Sequence, residues 1–417
     1  MSESADTPKA SVIIPTYNRR DELSKTLETL TEQDIDPGAF EVIVADDGSS
    51  DDSADVVRSL AGRLRLKYVF QEDEGFRAGA ARNTGARLAS APLLIFLDSG
   101  TLAGPGLVSG HLAVHAGSED RCAVMGYCYG YNAFRQEQWE PDSFYTLRPA
   151  EVVRRYGDNP LFADVRSLDF ARGGSDPMKW PVPWMYFFSG NCSMPAADFW
   201  AVGGFDEMFR SWGVEDLELG YRLFHNGSTM ALSRDAWAME LTKQRPAKQL
   251  IYSLMRNGRM FLAKHPEPYV EILADAYLNA RFATIWDEGL ALKHWTRAAR
   301  ELDVSAEIEA AAAGLTADTE LVIFGCGPSV PERLPAATLA DFDADLLAKA
   351  AAAGTHTAHH AIGVRTVLPS KSADVVIVTS RLRGLWDFYG DQIVREAGRI
   401  GRRVVVTGPP GGVAGSA

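Results

Sequence analysis

Continuous apolar runs alternate with helix-spaced polar stretches through the first hundred residues. Ser11 to Thr16 (SVIIPT) is a run of the kind that forms a strand buried on both faces. Arg19 to Gln33 follows, with Leu23, Leu27 and Leu30 on one helical face. Glu41 to Ala45 (EVIVA) reads as a second buried strand. It stops at Asp46-Asp47-Gly48-Ser49-Ser50, a turn rich in helix-capping residues. Lys67 to Phe70 is a third, shorter strand, Ala78 to Ala89 a helix of small residues, and Leu93 to Leu97 (LLIFL) a fourth strand ending on Asp98. This βαβ rhythm predicts a mostly parallel sheet. Ligands bind such sheets at the carboxyl ends of the strands, where Asp47 and Asp98 fall.

The pattern then changes. Tyr127 to Pro183 is aromatic-rich and irregular, and includes the flexible segment Arg172-Gly173-Gly174-Ser175-Asp176-Pro177. Glu240 to Leu315 reads as helices, with an alanine-rich run from Ala306 to Ala313. A second α/β pattern begins at Glu320 to Phe324 (ELVIF) and passes into Gly325-Cys326-Gly327-Pro328-Ser329. It continues through Thr338 to Asp341, the strand Ala373 to Thr379, and the strand Arg403 to Thr407. The expected organisation is an α/β domain over 9–240, a helical connector over 241–316 and a smaller α/β domain over 317–412.

Composition narrows the functions open to such a chain. It has 417 residues and a net charge of −13, which argues against a uniformly basic nucleic-acid surface and against a polybasic membrane anchor. An anionic ligand would have to be held by a few placed arginines. The four cysteines form no CxxC pair and read as buried free thiols of a reducing cytoplasm. The polar start MSESADTPKA lacks a signal core, and no run approaches the roughly 18 apolar residues that span a bilayer. A cytoplasmic protein without a transmembrane segment is expected.

Five segments carry candidate chemistry in a fixed order: SVIIPTYNR, VADDGSSD, DEGFRAGAARN, IFLDSG and GGFDEMFRSWGVEDLELGYRL. Together they resemble glycosyltransferase family 2, in particular its bacterial polysaccharide-type members with a WGxED segment. The resemblance covers about Ser11 to Ser233, and five motifs in order are far more specific than any one of them. It implies a GT-A fold and inverting transfer of a sugar from a nucleotide-sugar donor, UDP-linked by expectation. The acceptor would be a hydroxyl of a glycan, a lipid-linked sugar or a natural product.

The resemblance also implies roles. Pro15, Thr16, Tyr17 and Asp47 would hold the nucleobase and ribose, and Arg77 the nucleotide, since a guanidinium suits phosphate or a base carbonyl. Arg82 has two readings: another nucleotide contact, or a structural arginine paired with Asp46 or Asp47. Asn191 lies on a strand expected to line the donor-sugar pocket. Asp98 matches the first acid of the DxD motif, which holds a divalent cation (Mn²⁺ or Mg²⁺) against the diphosphate. The second acid is missing, because the motif here reads Asp98-Ser99-Gly100. No histidine stands near Ala238 to Leu241; Glu240 is a hard ligand able to substitute, or a solvated helix charge. Arg77, Arg82 or Lys243 are further sources of neutralising charge.

Asp216 is the expected general base and Glu215 a ligand for sugar hydroxyls; a paired buried acid has raised proton affinity. An acid pair stabilised at a helix start is the plainer reading of the same two residues, and both can hold. Trp212 and Trp184 are candidates for stacking on the acceptor, or for packing in the core. Glu320 to Pro410 resembles a shortened class I methyltransferase domain, with Asp341 and Asp343 near its ribose-binding acid. Ser329 replaces a loop glycine, so a packing or dimerisation role is expected there. Two alternatives remain: a non-catalytic sugar-nucleotide-binding scaffold, and a bifunctional glycosyltransferase–methyltransferase.

Overall fold

The computed structural model describes residues 7–118, 121–131, 144, 146–241, 247–279, 281 and 284–407. Lys243, part of the aromatic-rich stretch and residues 408–417 lie outside them. The chain divides into two compact units, Met1–Ser253 and Leu254–Ala417.

The first unit is built on an eight-stranded sheet: β1 (Ala10–Thr16), β2 (Phe40–Asp46), β3 (Leu66–Phe70), β4 (Leu93–Leu97), β5 (Thr101–Ala103), β6 (Cys122–Tyr129), β7 (Asn191–Pro195) and β8 (Thr229–Glu240). The spatial order is β3-β2-β1-β4-β7-β6-β8-β5. The first four strands run parallel, and β7 joins β4 antiparallel through Leu97↔Asn191 to Leu93↔Pro195. β1 is central, which explains its unbroken apolar run: Val12, Ile13 and Ile14 are fully buried. The predicted face of helix Arg20–Leu30 is the one that packs, with Leu23, Leu27 and Leu30 against Val12, Ile14, Val42 and Ile95.

Helix Ala78–Arg87 approaches the other face closely because its residues are small. A Cβ at Gly85 would stand 2.7 Å from the Ile13 side chain. That approach sets Arg82 beside Asp98, just past the carboxyl end of β4.

Two parts of the irregular reading are corrected. β6 extends into the aromatic-rich stretch, and Glu240 ends a 12-residue strand rather than opening a helix. β8 is sandwiched between β6 and β5, where Thr101 pairs with Glu240, so it gains its ladder bonds from partners distant in sequence.

The second unit is a five-stranded parallel sheet of order β11-β10-β9-β12-β13, with β9 (Leu321–Phe324), β10 (Ala337–Asp341), β11 (Thr357–His360), β12 (Ala373–Val378) and β13 (Gly401–Val406). This is a doubly wound arrangement whose chain reverses direction between β9 and β12. The helices read as a connector pack on this sheet. Ile272, Leu292 and Ala299 share a core with Val322, Phe324 and Val376, and Ile308 shares another with Leu321 and Ile323. Glu271 fastens them further, accepting the N–H groups of Ile362, Gly363 and Val364 at 3.0, 3.1 and 3.3 Å.

Candidate active site

β4 delivers Asp98 into a turn closed by the Thr101 N–H on the Asp98 carbonyl at 2.9 Å. Gly100 sits in that turn at φ 87°, where glycine is favoured. A Cβ there would lie 3.3 Å from the Glu22 Cβ, which gives the absent second acid a local structural reason.

Arg82 is buried and reaches across to two carboxylates. Its Nη2 donates to Asp98 Oδ1 at 2.8 Å and its Nη1 to Glu215 Oε1 at 3.4 Å. Its guanidinium lies 5.2 Å from the centre of the Phe205 ring. Burial opposes its charge, but Asp98 and Glu215 outweigh burial and hold the proton more firmly than usual. Neither Asp46 nor Asp47 is its partner. The next residue, Asn83, locks the helix to the Gly204-Phe205 turn: it accepts from the Phe205 N–H at 2.8 Å and donates to the Phe205 carbonyl at 2.8 Å.

Glu215 and Asp216 open helix Glu215–His225, where the helix dipole favours acids. The chain enters this helix through Gly213 (φ 88°) and Val214 (φ 78°). A buried β-branched residue in the left-handed region is strained, and such strain gathers at functional sites. Asp216 accepts from the Leu217 N–H at 2.9 Å and the Ser189 N–H at 3.3 Å. Burial, and then the charge of Glu215, push its carboxyl up to about 7, with Arg82 opposing. Burial raises Glu215 as well.

Several polar atoms here are buried with no partner among the described residues: Thr16 Oγ1, Ser99 Oγ, Arg82 Nε and Glu215 Oε2. They come from the ends of β1 and β4, from the helix carrying Arg82 and from the helix start at Glu215. Buried polar groups without partners are rare and call for an explanation, and a ligand is one.

The expected nucleotide contacts lie along the same strand ends. Asp47 is buried and accepts from Gln71 Nε2 at 2.6 Å and from the Arg77 N–H at 2.9 Å. The Arg77 side chain lies 3.6 Å from Asp47 and donates to Glu74 and to the Glu72 carbonyl. Tyr17 is exposed and donates to Asp73 at 2.9 Å, and Pro15 is half-buried at the end of β1. Asp46 is a scaffold residue, accepting from the Tyr68 hydroxyl and the Ser49 N–H.

Two expected contacts are placed elsewhere. Asn191 is used within the sheet: its amide donates to the Ala236 and Tyr127 carbonyls and its oxygen bonds His111 Nε2 at 2.9 Å. Trp184 is 2% exposed and packs edge-on against Tyr221, so it is core and not an acceptor platform. Trp212 is half-buried just ahead of the acid pair.

Among the described residues, no group of three or more His, Cys, Asp or Glu side chains is placed to hold a metal ion. One oxygen of Asp98 is engaged by Arg82. The donor set therefore fits only the mode in which one protein carboxylate shares Mg²⁺ with substrate phosphates. No helix among the described residues is long and apolar enough to cross a membrane.

A family model described as "Glycosyl transferase family 2" matches residues 11–187, and one described as "N-terminal domain of galactosyltransferase" matches 172–243. The chain is 43% identical over 412 residues to a validoxylamine A glucosyltransferase of Streptomyces hygroscopicus subsp. limoneus, covering 95% of this chain and 90% of that one. It is also 43% identical over 415 residues to the validoxylamine A glucosyltransferase of Streptomyces hygroscopicus subsp. jinggangensis (strain 5008), covering 95% and 96%. Among solved structures, S. aureus TarS 1-349 in complex with UDP-GlcNAc has a TM-score of 0.46 and 18% identity, covering 68% of this chain and 76% of that one.

Proposed function

The chain belongs to glycosyltransferase family 2 and is an inverting glycosyltransferase of the GT-A type, and from that premise we propose that it moves glucose from UDP-glucose to a hydroxyl of a small validoxylamine-type natural product, with Asp216 as general base. The glucosyl group and the acceptor class follow the two relatives that match nearly the whole chain.

The observation that carries the reading is the linked cluster Asp98–Arg82–Glu215 with Asp216 beside it. In the transfer, the acceptor oxygen attacks the anomeric carbon from the face opposite the diphosphate. The new C–O bond forms as the bond from that carbon to the phosphate oxygen breaks, and its electron pair leaves with UDP. The acceptor proton passes to Asp216. A base whose proton affinity lies near the working pH is suited to that step. Glu215 binds sugar hydroxyls through its unpartnered oxygen. Arg82 keeps Asp98 and Glu215 at a fixed separation and adds positive charge beside the diphosphate. Asp98 is the residue to hold a divalent cation, which would supply further neutralisation of the leaving group. Asp47, Arg77, Thr16, Tyr17 and Pro15 line the nucleotide end, and Trp212 borders the acceptor.

The test is to incubate the protein with UDP-glucose and validoxylamine A and to read the anomeric proton coupling of the product. A β-glucoside is expected from the α-linked donor. An α-glucoside, or no transfer from any nucleotide-sugar, would overturn the reading.

A further inference from the structure

Three charged residues share one face of helix Glu215–His225: Glu215 opens it, Glu218 lies one turn on and Arg222 a turn after that. Glu218 is fully buried and receives the Arg222 guanidinium as a fork, with Nε on Oε1 at 2.8 Å and Nη2 on Oε2 at 2.6 Å. The same guanidinium also reaches off its own helix. Its Nη2 donates to the Gly204 carbonyl at 2.8 Å and its Nη1 to the Val202 carbonyl. Gly203 and Gly204 turn the chain there at φ 86° and 72°. From the other side Asn83 holds this turn, accepting the Phe205 N–H and donating to the Phe205 carbonyl, both at 2.8 Å. A Cβ at Gly204 would stand 2.7 Å from Asn83 Oδ1, so glycine is required for that approach.

The contacts close into a ring. It runs from Glu215 along its helix to Arg222, across the Gly203–Phe205 turn to Asn83, and back through the neighbouring Arg82 to Glu215. The last link is the weakest, because Arg82 Nη1 stands 3.4 Å from Glu215 Oε1, past the usual N–H···O limit of about 3.2 Å. So long a contact does not by itself fix the separation of the two helices. The Arg222 fork and the Asn83 clamp do, with shorter bonds on both sides of one turn. Resting on the function proposed above, we infer that Arg222 is a positioning residue for the transfer. It acts through its helix, holding Glu215 and Asp216 at the separation from Arg82 and Asp98 that the reaction uses.

Arg222→Lys keeps a cation beside Glu218, but a single ammonium lacks the planar fork that reaches both carbonyls as well. Arg222→Met removes all of these bonds. Initial rates with UDP-glucose and validoxylamine A are read well below each variant's thermal midpoint, beside calorimetric titration with UDP. The turnover number kcat falls by about 10- to 10²-fold, less in Arg222→Lys than in Arg222→Met, the size expected when reacting groups shift by about an ångström. Affinity for UDP stays as in the wild type, because the nucleotide end is built on β1 and β2, outside this ring. Arg222→Lys carries the test where Arg222→Met does not fold. A wild-type kcat in folded Arg222→Lys, or a loss of UDP affinity in step with kcat, overturns the inference. Its failure is distinguishable from failure of the function itself, which shows as no transfer by the wild-type protein.

Discussion

Each unit buries an arginine–carboxylate pair at the carboxyl end of a parallel strand, and the two pairs differ in what they leave over. In the first, Arg82 meets Asp98 at 2.8 Å, but Arg82 Nε, Glu215 Oε2, Ser99 Oγ and Thr16 Oγ1 nearby have no partner, and the Asp98 side chain is 26% exposed. In the second, Arg381 meets Asp341 at 2.7 Å and both side chains are fully buried. There Asp341 also accepts the N–H groups of Gly327 and Asp343 at 2.8 and 2.9 Å. Arg381 donates onward to the Ala299 and Leu302 carbonyls and lies 4.9 Å from the Phe342 ring centre. Asp343 caps helix Ala344–Ala351 and pairs with Arg300. The acids that a methyltransferase-like reading would assign to a cofactor ribose are thus already engaged. Under the function proposed above, the same motif serves reactivity where its neighbours are left unsatisfied and architecture where its groups are matched.

Removing each arginine separates these roles. Arg82→Met takes the guanidinium away from the buried Glu215 and the partly exposed Asp98. It lowers stability by about 3–5 kcal/mol in urea unfolding and turnover by roughly 10²-fold or more. Arg381→Met lowers stability by a similar amount, about 3–5 kcal/mol, because Asp341 loses its partner, yet initial rates of the folded protein are unchanged. An Arg82 variant that loses stability alone would break the comparison.

A smaller effect comes from pH. The Asp216 carboxyl stands at about 7 in the folded protein against an ordinary 3.8. Between those values the folded protein keeps a proton that the unfolded chain has released, so this residue lowers stability as pH rises and its effect levels off above about 7. Asp216→Asn removes that slope. Compared by urea midpoints at about pH 5 and about pH 8, the variant gains on the wild type at the higher pH.

Much of the first sheet was legible because β1, β2 and β4 are buried on both faces and write unbroken apolar runs ending at Asp47 and Asp98. β8 was not legible. Its buried positions do not alternate, and its partner β6 shifts register between Gly126 and Cys128, so no period-2 signal survives. The acids of WGVED were legible as a helix start. The partners of Arg82 were not, since Glu215 lies 133 residues away and only the fold joins them. Trp184 shows the limit for aromatics, whose sequence context does not separate a sugar platform from a packed core. The helices read as a connector looked unattached because their apolar faces meet strands that come later in the chain.

The central claim is that Asp216 takes the acceptor's proton. Asp216→Asn keeps the size of the side chain and one acceptor oxygen for the Leu217 N–H, and removes its basicity. With UDP-glucose affinity checked by calorimetry, the account predicts unchanged donor binding and a kcat lower by about 10² to 10⁴, the usual contribution of a general base. A variant that binds donor and turns over at the wild-type rate would contradict it.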